Sequence, residues 1–134
     1  MSKPNTSKRL PAIIIGTAEH HRLSGLATAA LDHSPEVAEE LLDELERARV
    51  VAPGRVPAST VRMGSTVTYT ADGGTRTVTL VYPAEADIAN GRVSIMTPIG
   101  AALIGLSEGQ SIPWTARDGR RNALTVLKVE PPQG

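Results

Sequence analysis

The hydrophobic positions of this chain change their period near the middle. Between residues 17 and 31, Leu23, Leu26, Ala27, Ala30 and Leu31 recur at i, i+3, i+4, i+7 and i+8, which is one stripe of an α-helix. Asp32, His33, Ser34 and Pro35 then break and restart the pattern. Ser34 suits an N-cap, Pro35 the first helical position, and Glu36 the first turn, where the helix dipole favours a carboxylate. The second helix carries Ala38, Leu41, Leu42, Leu45 and Ala48 on one face and ends before Pro53 and Gly54. Thr17 is expected to cap the first helix, and Gly25 weakens it by up to about 1 kcal/mol relative to alanine. Asp43 and Arg47 form a favourable i, i+4 pair. Two amphipathic helices joined by a tight turn predict an αα-hairpin, a short antiparallel coiled coil. Ahead of it, Pro11, Ala12 and three isoleucines read as a short strand closed by Gly16.

From about residue 60 the alternation is that of strands. Residues 66–70 alternate, Asp72, Gly73 and Gly74 turn, and 75–82 alternate again, which predicts a β-hairpin. Another apolar strand covers 92–96. Thr97 and Pro98 then open a short helix, the threonine as N-cap and the proline at the first helical position. Gly100, Ala101, Ala102 and Gly105 give this helix a thin face that can lie close on a sheet. Gly105 and Gly109 bracket a turn into a last hairpin, 111–116 and 122–129, joined at Asp118 and Gly119; the tail from 130 is expected to fray. A small, mostly antiparallel sheet with one short helix, preceded by a helical hairpin, is α+β architecture. Two domains follow, 1–52 and 57–130. Pro53 and Pro57 stiffen the linker between them, and the strand at 12–15 needs a partner for its backbone, so the halves should pack together.

Composition narrows the chemistry. At 134 residues the chain can bury a core without staples, and the lack of cysteine removes disulfides, thiolate zinc sites and thiol catalysis. Fourteen basic and fourteen acidic residues cancel, so no excess of positive charge argues for direct, sequence-specific nucleic-acid binding. Tyr69, Tyr82 and Trp114 are the only aromatics, too few for base-stacking platforms. The N-terminal residues are polar and basic, the apolar run 10–15 is too short for a signal segment, and no stretch approaches a membrane span, so a soluble cytoplasmic protein is expected.

The candidate sites are few. His20, His21 and His33 lack a ligand-like spacing and are better read as surface or hairpin-packing residues than as a metal site. Residues 34–46 hold six carboxylates and no basic residue, the signature of a solvated helix face. Gly100 and Gly105 have a phosphate-loop spacing, but Leu106 and Ser107 follow where lysine would be needed. No cofactor or metal is expected.

Two segments carry a family resemblance. One runs Val93-Ser94-Ile95-Met96-Thr97-Pro98-Ile99-Gly100-Ala101-Ala102-Leu103-Ile104-Gly105-Leu106; the other is Thr79-Leu80-Val81-Tyr82-Pro83-Ala84-Glu85. Together they resemble the C-terminal domain of Gre-type transcript-cleavage factors and, more closely, the regulators of nucleoside diphosphate kinase (Rnk). The resemblance implies an FKBP-like sheet domain and a non-enzymatic partner of RNA polymerase, bound near the secondary channel in competition with Gre factors. It implies contact through Thr97, Pro98, Ile99 and Gly100, and an indirect effect on nucleoside diphosphate kinase. Gre factors carry an Asp and a Glu three residues apart at the tip of a long hairpin. Here the tip offers Asp32, His33 and Glu36, and the only Asp-x-x-Glu pair, Asp43 and Glu46, lies on the stem. Arms of about 15 residues rise only about 22 Å, which favours occupancy without cleavage. The alternatives are a cleavage stimulator acting through Asp32 and Glu36, or a small prolyl isomerase, whose aromatic-lined pocket this composition poorly supplies.

Overall fold

The computed structural model describes residues 11–71, 73–115 and 121–132, with the side chains of 114, 115, 121 and 122 excepted. Strand β1 (Ile14–Gly16) runs directly into helix α1 (Thr17–Ala30), and α2 (Pro35–Arg47) returns to strand β2 (Arg49–Val51). The strands β1 and β2 pair in parallel at the root of the helical hairpin, with Ile15 beside Val50. The second sheet comprises β3 (Thr66–Ala71), β4 (Gly74–Val81), β5 (Arg92–Ser94), β6 (Ser111–Thr115) and β7 (Arg121–Glu130), in the order β5-β4-β3-β7-β6. Its pairs are antiparallel except β4 with β5. Helix α3 (Pro98–Leu103) follows β5.

The helical stripes bury as their spacing predicts. Leu23, Ala27 and Ala30 of α1 meet Ala38, Leu41 and Leu45 of α2 in the core. The same continuous core takes in Ile13, Ile15, Val61, Val67, Leu80, Ile95, Leu103, Ile104, Leu106, Leu124 and Val126, so the hairpin and the sheet share one interior. A backbone bond joins them as well: the Ile14 N–H donates to the Gly105 carbonyl at 3.1 Å, while within the hairpin root the Arg49 N–H donates to the Ile13 carbonyl at 2.9 Å. The expected close packing of the two halves is therefore present.

On the outer face of β3 and β4 the alternating positions are mostly threonines, half-buried or exposed. Thr66 pairs with Thr79 and Thr68 with Thr77 through their hydroxyls, each at 3.0 Å. The register between β3 and β7 shifts after Thr68, which faces Lys128 while Tyr69 faces Val126. Leu127 is the extra residue of this bulge and stands half-exposed.

Several local expectations are corrected. Thr17 is already helical, and the cap position falls on Gly16, because β1 passes into α1 without a connecting residue. Ser34 does stand at the N-cap of α2 with Pro35 at the first position, but its side chain makes no capping bond. Arg47 turns away from Asp43. Its guanidinium engages Glu44 at 2.7 Å and donates to the Pro11 carbonyl at 2.6 Å, tying α2 to the segment before β1. The first strand is shorter than 11–15, and β2 and the parallel β4–β5 pairing were not predicted. Asp72, the turn at Asp118 and Gly119, and the last two residues lie outside the described residues.

Two glycines should respond to a methyl group with opposite signs. A Cβ on Gly100 would collide with the Ser94 carbonyl oxygen and lie 2.9 Å from the Ile95 Cα, all of it backbone. Gly100→Ala is therefore expected to destabilise by about 2–3 kcal/mol in urea unfolding. Gly25 is exposed inside α1 with nothing within 4 Å. Gly25→Ala should stabilise by about 0.5–1 kcal/mol.

Candidate docking edge

Strand β5 forms one edge of the five-stranded sheet, and the resemblance-bearing residues gather at its C-terminal end. Part of its outward-facing backbone is already occupied. Asp87 and Arg92 exchange both N–H···O bonds at 2.9 Å, and the Thr97 hydroxyl donates to the Ser94 carbonyl at 2.7 Å. The same Thr97 oxygen accepts the Gly100 N–H at 3.1 Å, the capping bond predicted from Thr97 and Pro98. Ser94, itself buried, accepts the Met96 N–H through its hydroxyl at 2.9 Å. The helix start is thus held on both sides by side-chain oxygens and pressed onto β5 through Gly100.

This packing separates the four predicted contact residues. Pro98 is exposed at the first position of α3; Thr97 and Ile99 are half-buried; Gly100 is fully enclosed. Ile99 packs against the central core. Thr97 and Gly100 shape this corner and Pro98 is the part that solvent sees.

Asp32 and His33 stand in the turn between α1 and α2 and Glu36 in the first turn of α2, all exposed. Behind them the acidic face of α2 is crowded: burial, then Glu36, Asp43 and Glu44, hold the Glu40 carboxyl above its ordinary value. Among the described residues no group of three or more potential ligands is placed to hold a metal ion. His20 packs within the hairpin, its Nε2 lying 2.9 Å from the Leu45 carbonyl.

A junction that sequence reasoning missed joins α1 to the sheet. The Met63 N–H donates to the Glu19 carboxylate at 3.3 Å, and the Arg22 guanidinium lies 4.1 Å over the centre of the Tyr82 ring. Burial raises the Glu19 carboxyl above its ordinary range, opposed by the Met63 N–H and by Arg62. Burial also raises the Tyr82 phenol; Arg22 opposes that rise, while Glu19 and Glu85 add to it. Among the described residues the buried Arg62 Nε finds no hydrogen-bond partner. Arg22 and Tyr82 are sixty positions apart, so no local pattern could pair them.

A sheet of this order with one short helix, preceded by a helical hairpin, is the arrangement of a transcription elongation factor of GreA/GreB type. It matches the solved structure titled prokaryotic transcription elongation factor GreA/GreB from Nitrosomonas europaea with a TM-score of 0.71, at 32% identity over 88% of this chain and 98% of that one. Residues 56–131 match the family Transcription elongation factor, GreA/GreB, C-term, and residues 11–51 match the Rnk N-terminus. The chain is 38% identical to the regulator of nucleoside diphosphate kinase of Escherichia coli K12, over 90% of each. It is 42% identical to GreA of Hyphomonas neptunium across 67% of this chain, which spans 58% of that protein. The chain belongs to the family of regulators of nucleoside diphosphate kinase, and it joins a segment matching the Rnk N-terminus to one matching the GreA/GreB C-terminal family. These relatives are named as regulators and transcription factors, not as enzymes. Among the described residues no helix is long and apolar enough to cross a membrane.

The junction makes a pH prediction. The folded state holds the Glu19 proton more tightly than the unfolded chain does. This group therefore adds stability at acid pH and withdraws it as pH rises through the raised value. Glu19→Gln keeps an acceptor for Met63 and should raise the Tm at neutral pH. The advantage should vanish as pH falls past the ordinary glutamate value of 4.5. A variant less stable than the parent at neutral pH would contradict this.

Proposed function

We propose that this protein is an RNA polymerase-binding regulator of transcription elongation. In this reading it docks near the secondary channel through the β5–α3 corner and competes there with Gre factors. The observation that supports it best is the rigid display of Pro98: a capped helix start, locked to an edge strand by Thr97 and Gly100, within the segment that matches the GreA/GreB C-terminal family. A pre-formed contact of this kind loses little conformational freedom on binding. The five-stranded sheet with its one short helix serves as an FKBP-like platform, and the two helices as a short antiparallel coiled coil. The functional units are 1–52 and 57–130. The setting is the cytoplasm, the role involves no direct sequence-specific nucleic-acid binding, and any effect on nucleoside diphosphate kinase is indirect.

The hairpin supports occupancy rather than cleavage. Helices of 14 and 13 residues rise about 20 Å. The tip presents Asp32 and Glu36 four residues apart, and stimulating cleavage requires acceptors delivered to the catalytic Mg²⁺. The tip carboxylates then serve as a polar end to the hairpin.

Two assays on stalled bacterial RNA polymerase test the proposal. Increasing amounts of the protein should progressively suppress transcript cleavage stimulated by a Gre factor, and should not accelerate cleavage alone. Pro98→Glu, at an exposed first helical position that tolerates a carboxylate, should keep the Tm and weaken polymerase binding about tenfold. Ile99 is a poor target for this purpose, because it packs on the core. Cleavage that rises without a Gre factor and is lost in Asp32→Asn with Glu36→Gln would overturn the non-cleaving role.

A further inference from the structure

We infer that the loop 83–90 is a second docking element on the same edge, with Ile88 as an apolar knob that enters a basic-rimmed pocket of RNA polymerase. The inference rests on the polymerase reading above and adds a contact to it. Every residue from 83 to 90 is exposed, and Ile88 is 82% exposed, well beyond the other exposed large hydrophobics among the described residues, Leu127 at 49% and Val50 at 41%. Removing an isoleucine side chain from water is favourable, so leaving one exposed in this loop forgoes that gain within the fold.

The loop is also rigid. Asp87 and Arg92 close it with two backbone bonds at 2.9 Å. The Asn90 N–H donates to Asp87 and the Gly91 N–H to Ile88, each at 3.0 Å, and the Asn90 side-chain amide donates to the Asp87 carboxylate at 2.7 Å. Gly91 ends the turn at φ +74°, a conformation that favours glycine. Ile88 is therefore held in place before any partner arrives, which is the condition under which an exposed apolar side chain contributes most to binding.

Position selects the partner. The loop enters β5 at one end and α3 leaves it at the other, and three strand residues separate them by about 10 Å. Ile88 and Pro98 thus fit within one protein contact, which commonly covers about 800 Å² on each side. Strand addition is not the mode of contact here, because Asp87 and Thr97 already occupy outward-facing backbone groups of β5. Contact falls to side chains. The loop offers Pro83, Ala84, Ala86, Ile88 and Ala89 with Glu85 and Asp87, and no basic residue. Its complement is an apolar pocket with a positive rim.

The test uses the full chain and core RNA polymerase, with Pro98→Glu as the reference variant. Ile88→Ser should leave the Tm unchanged and weaken binding about tenfold. Glu85→Lys should weaken binding less and flatten its dependence on salt. If the parent binds, Pro98→Glu binds weakly and Ile88→Ser binds like the parent, the loop is not a contact; this inference falls and the polymerase reading stands. If the parent itself fails to bind polymerase, that reading falls and takes this one with it. If sedimentation shows a dimer of the parent that Ile88→Ser dissociates, with polymerase binding unchanged, the knob serves a second copy and the inference is overturned.

Discussion

Strand β1 is the piece on which the rest of the structure leans. On one side it pairs with β2 and closes the root of the hairpin; on the other, the Ile14 N–H reaches the Gly105 carbonyl in the turn after α3. That approach is close enough that a Cβ on Gly105, which sits at φ +82°, would lie 2.9 Å from the Cβ of Ile13. Ile13 and Ile15 point into the interior shared by hairpin and sheet. Three short residues thus do the joining that a linker alone could not, since an unpaired strand here would leave backbone groups buried without partners. The Glu19 and Arg22 contacts to Met63 and Tyr82 add a second attachment along α1, while Arg47 braces α2 against the segment before β1 through Pro11. Helix orientation relative to the sheet is fixed at two places.

A fixed hairpin gives the β5 edge its meaning. Asp87 and Thr97 take up part of the edge's outward backbone, and it carries the exposed Pro98 and Ile88 on backbone that is hydrogen-bonded on both flanks. The buried members of the same corner, Ser94 and Gly100, set how closely α3 lies on β5. Shape is supplied from inside and contact from outside. The threonine-covered sheet face is different: its hydroxyls satisfy one another in cross-strand pairs.

How much of this was legible in the sequence depended on range. The two helices followed from apolar spacing, and Leu23, Ala27, Leu41 and Leu45 are buried as that spacing requires. The Thr97 cap and the first β-hairpin followed from neighbours within a few positions. The strand β2 did not, because three residues after a helix carry no period of their own and gain strand geometry only by lying beside β1. The parallel β4–β5 pairing likewise depends on a loop returning the chain to the edge. Thr17 failed as a cap for a local reason, since the preceding strand shifts the helix start by one residue. At the candidate site the sequence marked Thr97 to Gly100 as a unit; only packing divides it into an exposed Pro98 and an enclosed Gly100. Ile88 carried no signal, because an isolated isoleucine in a loop looks the same whether it is buried or displayed.

In the proposed reading one rigid body presents the β5 edge to RNA polymerase. Hydrogen–deuterium exchange of the full chain, free and bound to core polymerase, tests it most directly. The account predicts new protection concentrated in residues 83–99, with the threonine face at 66–79 exchanging as in the free protein. Protection confined to the threonine face or to the hairpin tip, with 83–99 unchanged, would contradict it.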